Sequence, residues 1–207
     1  MNYFSTARNV LSSEYLSNLQ GEILACPYFI TNNLNRDFVN TKGFSVVFRR
    51  SHIDRVETKF PFFKAYLKLA LLPNCNAFYL NPLQLKSGSR VDPHIDRSLR
   101  SYCKTIEPPE TVSVLYINIP QNLEGGELIL SDSYGCSSRR KRQVGKINPQ
   151  ANMLVHFQGH LTHSVNLVKS EGLRLSLICE QYCLEDEELI KIPEFTIESR
   201  AAINKRY

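Results

Sequence analysis

Val91-Asp92-Pro93-His94-Ile95-Asp96 is the stretch around which the chain is organised. His94 and Asp96 stand two residues apart, and on an extended strand residues i and i+2 project from the same face. An imidazole and a carboxylate then lie side by side, as two adjacent metal ligands must. A third donor is offered downstream by His163, and Arg174 follows eleven residues later within Leu173-Arg174-Leu175-Ser176-Leu177. Two imidazoles and one carboxylate on one face of an ion leave its opposite face open, a donor set that suits Fe(II).

A His-x-Asp pair alone also occurs in ordinary surface turns. The ordered set is more specific: His94-x-Asp96, then Gly125-Gly126-Glu127-Leu128, then Phe157 with His163-Ser164-Val165, then Gly172-x-Arg174-x-Ser176. In order and spacing it resembles the Fe(II)/2-oxoglutarate-dependent oxygenase superfamily, and within it the prolyl-4-hydroxylase-like branch with its PKHD-type hydroxylases. The resemblance spans roughly residues 78 to 182, about half the chain.

The resemblance implies a double-stranded β-helix (jelly roll) with His94, Asp96 and His163 as catalytic Fe(II) ligands. It also implies 2-oxoglutarate as cosubstrate, O2 as oxidant and ascorbate as an accompanying reductant. Burying the far carboxylate of 2-oxoglutarate unpaired would be prohibitive, and the planar fork of a guanidinium is its best counter-group. Arg174 takes that role, with Ser176 on the same strand face and Tyr116 donating hydroxyls to the same carboxylate. Arg174 is expected to face His163 across an antiparallel pair. Gln84 stands where the family has a tyrosine, and its amide is expected to bond a cosubstrate carboxylate. His156 and His160 compete with His163 for the third ligand position, which the resemblance assigns to His163. His52 reads as a surface histidine. Two further departures are a connection from His163 to Arg174 longer by one residue, expected as a bulge near Ser170 and Glu171, and an inserted loop carrying Arg139, Arg140, Lys141 and Arg142.

The 207 residues, 43% hydrophobic and 22% charged, suit one domain with a sizeable core. It divides into a helical flank with the first strand (1–75), a jelly-roll core (76–183) and a C-terminal helix and tail (184–207). A net charge of +5 permits an acidic partner without requiring one. The basic run has no aromatic interleaving, so nucleic acid is not an expected partner, and the run reads as solvated surface or as a lid that attracts an acidic substrate. Six cysteines form no C-x-x-C pair, which points to reduced thiols rather than a disulfide framework or a structural zinc site. The N-terminus lacks the basic-then-apolar order of a signal peptide, and no apolar run approaches the roughly 20 residues of a membrane span. A cytoplasmic protein without membrane contact is expected.

Leu11, Tyr15, Leu19 and Ile23 recur every four residues and predict a helix over 8–25, ended by Cys26-Pro27. Residues 32–40 read as a loop, and the alternation around Phe44, Val46 and Phe48 as a strand. Ser51 caps a second helix that Pro61 interrupts, with Phe62, Tyr66, Leu69 and Leu72 as its apolar stripe. From Asn76 short strands follow one another to Tyr182. A short acidic helix lies over 184–190, and a polar tail begins at Pro193. The fold class is α+β, mainly β: a jelly roll flanked by N-terminal helices. The expected activity is hydroxylation of an amino-acid residue or an amino-acid-derived metabolite, so the substrate is a small molecule or a peptidyl side chain. Asp96 fills the place a halogenase leaves for chloride, which argues against halogenation. The competing readings are a jelly-roll binding module that has lost catalysis and a zinc hydrolase.

Overall fold

The computed structural model describes residues 2–32, 37–132 and 142–200. The turn expected at 133–135, Cys136, the basic residues at 139–141 and the last seven residues of the tail lie outside them. The chain runs β1 (Phe4–Arg8), α1 (Ser13–Ala25), β2 (Ile30–Asn32), β3 (Phe38–Val39), β4 (Thr41–Gly43), β5 (Ser45–Arg49), α2 (Ile53–Lys59), α3 (Lys64–Ala70) and β6 (Ala77–Leu85). It continues through β7 (Arg90–His94), β8 (Thr111–Asn118), β9 (Leu128–Asp132), β10 (Arg142–Ile147), β11 (Met153–Gln158), β12 (Thr162–Val165), β13 (Arg174–Tyr182), α4 (Asp186–Leu189) and β14 (Phe195–Glu198).

Two antiparallel sheets result. The larger has the order β1-β11-β8-β13-β6-β4-β2, with β5 also on β6 and β14 on β5; the smaller has the order β10-β9-β12-β7-β3. Their inner faces meet in an apolar cluster where Val112, Tyr116 and Phe157 of the large sheet pack with Leu128 and Leu130 of the small one, and in a second where Leu83 and Leu85 pack with Val91. The outer face of the large sheet is covered by the helices: Leu19, Ile23, Phe63, Tyr66 and Leu67 pack on Phe48, Phe78, Leu80, Leu115 and Leu177. Each fully buried large apolar side chain contributes about 1.5–3 kcal/mol of transfer free energy. The mainly-β jelly-roll architecture with N-terminal helices is therefore as expected.

Several boundaries differ from the expectation. The first helix begins at Ser13, not near residue 8, because Ser12 caps it by accepting a hydrogen bond from the Tyr15 amide at 3.2 Å. Residues 4–8 instead pair along β11, with Phe4 opposite Phe157. The expected loop at 32–40 contains β3, which pairs Phe38 with Val91. Pro61 does interrupt the second helical stretch, but helix α3 starts only at Lys64, so Phe63, Tyr66, Leu67 and Ala70 face the sheet while Leu69 is exposed. Part of the expected tail forms β14, which pairs Phe195–Glu198 with β5.

The Gly125-Gly126 turn is a positional requirement. Both residues have positive φ, and a Cβ on Gly125 would lie 1.9 Å from the Leu167 carbonyl oxygen. Only glycine allows that approach without strain. The turn feeds β9, whose Leu128 and Leu130 pack against Tyr116.

Candidate active site

Alternation along the central strands decides what enters the space between the sheets. On β13 the even positions Arg174, Ser176, Ile178 and Glu180 line a cavity of about 960 Å³, and on β8 so do Val112, Val114 and Tyr116. On β6 the odd positions Tyr79, Asn81 and Leu83 do the same. The opposite faces, with Leu115, Leu175, Leu177 and Leu80, belong to the helix-side core. A cavity of this size, mostly apolar with a few convergent polar groups, is the usual form of a small-molecule site.

His94 ends β7, and His163 lies directly opposite it on β12. Their rings are 4.3 Å apart. Asp96, just beyond the strand, places Oδ1 3.2 Å from His94 Nε2 and Oδ2 3.3 Å from His163 Nε2. One donor atom from each of the three lies within 4.8 Å of the others. Each imidazole is oriented through its second nitrogen: His94 Nδ1 is 2.8 Å from the Asp92 carbonyl oxygen, and His163 Nδ1 is 3.2 Å from that of Leu161. With Nδ1–H donated to a carbonyl, Nε2 is the nitrogen each ring turns to the common centre, and its lone pair would be free for an ion once any Nε2 proton is displaced. Phe38 packs on the His94 ring at 5.5 Å and Phe157 on the His163 ring at 5.0 Å.

The charges in this group are strongly perturbed. Burial alone would push the His94 imidazole down, but the adjacent Asp96 carboxylate and the Asp92 carbonyl outweigh it and raise the group to about 9. Burial alone would raise the Asp96 carboxyl, but His163 and His94 outweigh it and hold it well below the usual carboxylate range. Although it lies beside Asp96, His94 Nε2 completes no hydrogen bond. A buried, inward-facing nitrogen that completes no hydrogen bond, beside a carboxylate and a second imidazole, fits a divalent ion such as Fe(II).

A second polar group occupies the same cavity. Arg174 is 2% exposed and Ser176 1%. Ser176 lies directly opposite Tyr116 across the β13–β8 ladder, and the Arg174 guanidinium carbon is 5.2 Å from the Tyr116 ring centroid. Burial lowers the Arg174 pKa and raises that of Tyr116, each partly opposed by the other. The Tyr116 hydroxyl and Arg174 Nε nevertheless have no hydrogen-bond partner, and among the described residues no carboxylate pairs with Arg174. A desolvated guanidinium and an orphaned phenol side by side fit an incoming carboxylate.

Two expectations are corrected. Arg174 does not face His163 across an antiparallel pair. His163 belongs to the small sheet and Arg174 to the large one, so they look at each other across the sandwich. Gln84 does not enter the cavity. On β6 it pairs with Leu175 of β13 and shares the parity of Phe78 and Leu80, which face the helices. Its assignment followed the position of the family's tyrosine, whereas strand parity decides the face. The rival histidines lie elsewhere. His156 is on β11 with Nδ1 2.7 Å from Ser113 Oγ, and His160 is exposed in the turn before β12.

Glu180 was not singled out from sequence. It is 3% exposed, yet it lines the cavity. Its parity with Arg174 along β13 was the available signal.

Comparison with known proteins adds the following. The family sequence model of the 2OG-Fe(II) oxygenase superfamily matches residues 79–179. A PKHD-type hydroxylase of Shewanella baltica is 24% identical over 189 residues, 86% of this chain and 78% of the relative. A prolyl-4-hydroxylase from Pseudomonas putida shares the fold with a TM-score of 0.56 at 16% identity, over 88% of this chain and 93% of the other. A Trichoplax adhaerens prolyl hydroxylase, solved with a peptide fragment of hypoxia inducible factor, also gives 0.56 at 16% identity, over 92% and 87%.

Proposed function

The chain belongs to the 2OG-Fe(II) oxygenase superfamily, and from that premise we propose that it hydroxylates an unactivated C–H bond of an amino-acid residue or an amino-acid-derived small molecule, forming succinate and CO2 from 2-oxoglutarate. The observation that carries this reading is the pairing, in one cavity, of the His94–Asp96–His163 donor group with Arg174, whose Nε completes no hydrogen bond, and the unbonded Tyr116 hydroxyl.

His94 and His163 offer Nε2 to the metal, and Asp96 offers its ionised carboxylate. Bound there, Fe(II) supplies the dioxygen chemistry that couples oxidative decarboxylation of the cosubstrate to C–H oxidation. Arg174 would pair with the far carboxylate of 2-oxoglutarate, Tyr116 and Ser176 would donate hydroxyls to it, and cosubstrate entry would thereby relieve a desolvated cation. Val114, Leu128 and Phe157 give the same cavity apolar walls. The Trichoplax enzyme's peptide ligand supports a peptidyl substrate as one form of the reaction.

The test measures succinate formation under O2, with Fe(II), 2-oxoglutarate and ascorbate as reductant, against panels of amino acids and peptides. Succinate formed only when both Fe(II) and 2-oxoglutarate are present is the expected outcome. Turnover of an ester or amide with Zn(II) and no cosubstrate would instead favour a hydrolase. A protein that binds Fe(II) and 2-oxoglutarate but forms no succinate would be the inactive binding module.

A further inference from the structure

His94 and His163 are each oriented by a backbone carbonyl on Nδ1. Among the described residues, Asp96 is met only by those two imidazoles. Its carboxylate must therefore be aimed by its backbone. That backbone leaves β7 at His94 and crosses three residues to a short 3-10 turn at Ser98–Ser101. On the upstream side it is fixed by strand pairing, and on the downstream side by β13 of the opposite sheet, where Tyr182 bonds the Leu99 amide and packs on the buried Leu99 side chain, and Glu180 holds Ser98. Glu180 Oε2 accepts the Ser98 amide at 3.2 Å, and Oε1 accepts the Ser98 hydroxyl at 2.5 Å. The Tyr182 hydroxyl donates to the same Oε2. Ser101 Oγ closes the turn onto the Ser98 carbonyl at 2.9 Å.

We propose that Glu180 is a positioning residue for the metal site: by clamping both the amide and the hydroxyl of Ser98, it fixes the segment that aims Asp96 between His94 and His163. The clamp ties the small sheet's ligand-bearing segment to β13, the strand that also carries Arg174. The metal end and the cosubstrate end of the cavity thus share one rigid element. Oriented outer partners of this kind are a general requirement of metal ligands, and Asp96 has no other among the described residues. Burial and the Asp96 charge push the Glu180 carboxyl up to about 8, against the Ser98 and Tyr182 hydrogen bonds that lower it. The clamp therefore does not depend on ionisation: a protonated carboxyl can donate to Ser98 Oγ and still accept from the Ser98 amide and Tyr182.

The inference rests on the metal-site reading, and the experiment separates the two. Co(II) is titrated into the metal-free protein anaerobically, reading both affinity and ligand-field absorption, alongside thermal unfolding without metal. Wild type that binds no Co(II) would overturn the metal site itself. With wild type binding, Glu180→Ala is expected to weaken Co(II) binding about ten- to a hundred-fold and to change the absorption band. Ser98→Ala, which loses one clamp bond, should weaken it less. Adding Ser98→Ala to Glu180→Ala should cost nothing more, since the partner is already gone. Glu180→Gln should restore near-wild-type affinity, because an amide can donate to Ser98 Oγ while its oxygen accepts from the Ser98 amide and Tyr182. Unchanged affinity and absorption in Ser98→Ala and Glu180→Ala would overturn the proposal. So would a Glu180→Gln variant that binds as poorly as Glu180→Ala, since charge and not the clamp would then matter. If Glu180→Ala does not fold, Ser98→Ala and Glu180→Gln decide alone.

Discussion

His94 and His163 face each other directly across the β7–β12 ladder, 4.3 Å ring to ring, with one oxygen of the Asp96 carboxylate within 3.3 Å of each Nε2. Cross-strand pairing therefore joins residues 69 positions apart, and the third ligand follows from strand geometry once the first is placed. Alanine at any of the three should abolish Fe(II) binding and cosubstrate decarboxylation while the metal-free fold survives. Alanine at His160, which is exposed, should change neither. Calorimetric metal titration of the four variants checks this, and strong binding by His163→Ala with loss in His160→Ala would reverse the assignment.

Arg174 is a buried cation without a carboxylate partner among the described residues, so it should work against the metal-free fold and for cosubstrate binding. Replacing a buried charge by an apolar residue of similar size is often neutral or stabilising, whereas truncating one side of a buried charge pair costs about 2–5 kcal/mol. Arg174→Leu should therefore leave the unfolding temperature of the metal-free protein unchanged or higher. It should also raise the 2-oxoglutarate requirement about two to three orders of magnitude, with metal affinity unaffected. Thermal melts and cosubstrate titrations on the same preparation measure both, and a destabilised variant with normal cosubstrate dependence would assign Arg174 to structure.

Much of this site was legible in the chain because it rests on period-two alternation. His94 with Asp96, and Arg174 with Ser176, share faces by spacing alone. Tyr116 came from the family likeness, and the structure sets it opposite Ser176. What escaped depends on which strands are neighbours. Gln84 was placed by the family's tyrosine position, but its face is set by pairing with Leu175. Strand β1 carries almost no apolar signal, its five residues being largely exposed, and it forms by edge pairing with β11. Glu180 had the right parity, yet its partner Ser98 lies 82 residues away.

Gly125, in the turn that feeds β9, combines two separate objections to a side chain. At φ +75°, with the Leu167 carbonyl oxygen 1.9 Å from where a Cβ would stand, Gly125→Ala combines left-handed strain with a backbone clash. Left-handed strain alone costs about 1–3 kcal/mol, and the clash adds to it. Denaturant unfolding should show at least that loss. Ala at Gly21, where a Cβ meets nothing within 4 Å on the surface of α1, should be neutral or stabilising.

Glu180 also gives the metal-free protein a pH dependence whose sign is fixed. Burial, first, and the Asp96 charge, second, raise its carboxyl from 4.5 to about 8 in the folded state, with Ser98 and Tyr182 opposing them. In the unfolded chain the group ionises near its ordinary value. Between the two, the folded protein holds a proton that the unfolded chain has released, so this group's contribution to stability falls as pH rises. It is fully present below about 4.5, declines up to about 8 and is then constant. Glu180→Gln cannot ionise but keeps the same hydrogen-bond pattern. The stability difference between Glu180→Gln and wild type should therefore shift in favour of the variant as pH rises through this window, then level off. Chemical denaturation of both proteins without metal, from pH 5 to 9, measures the difference. A difference that stays flat across that range would mean that Glu180 ionises at its ordinary pKa inside the cavity.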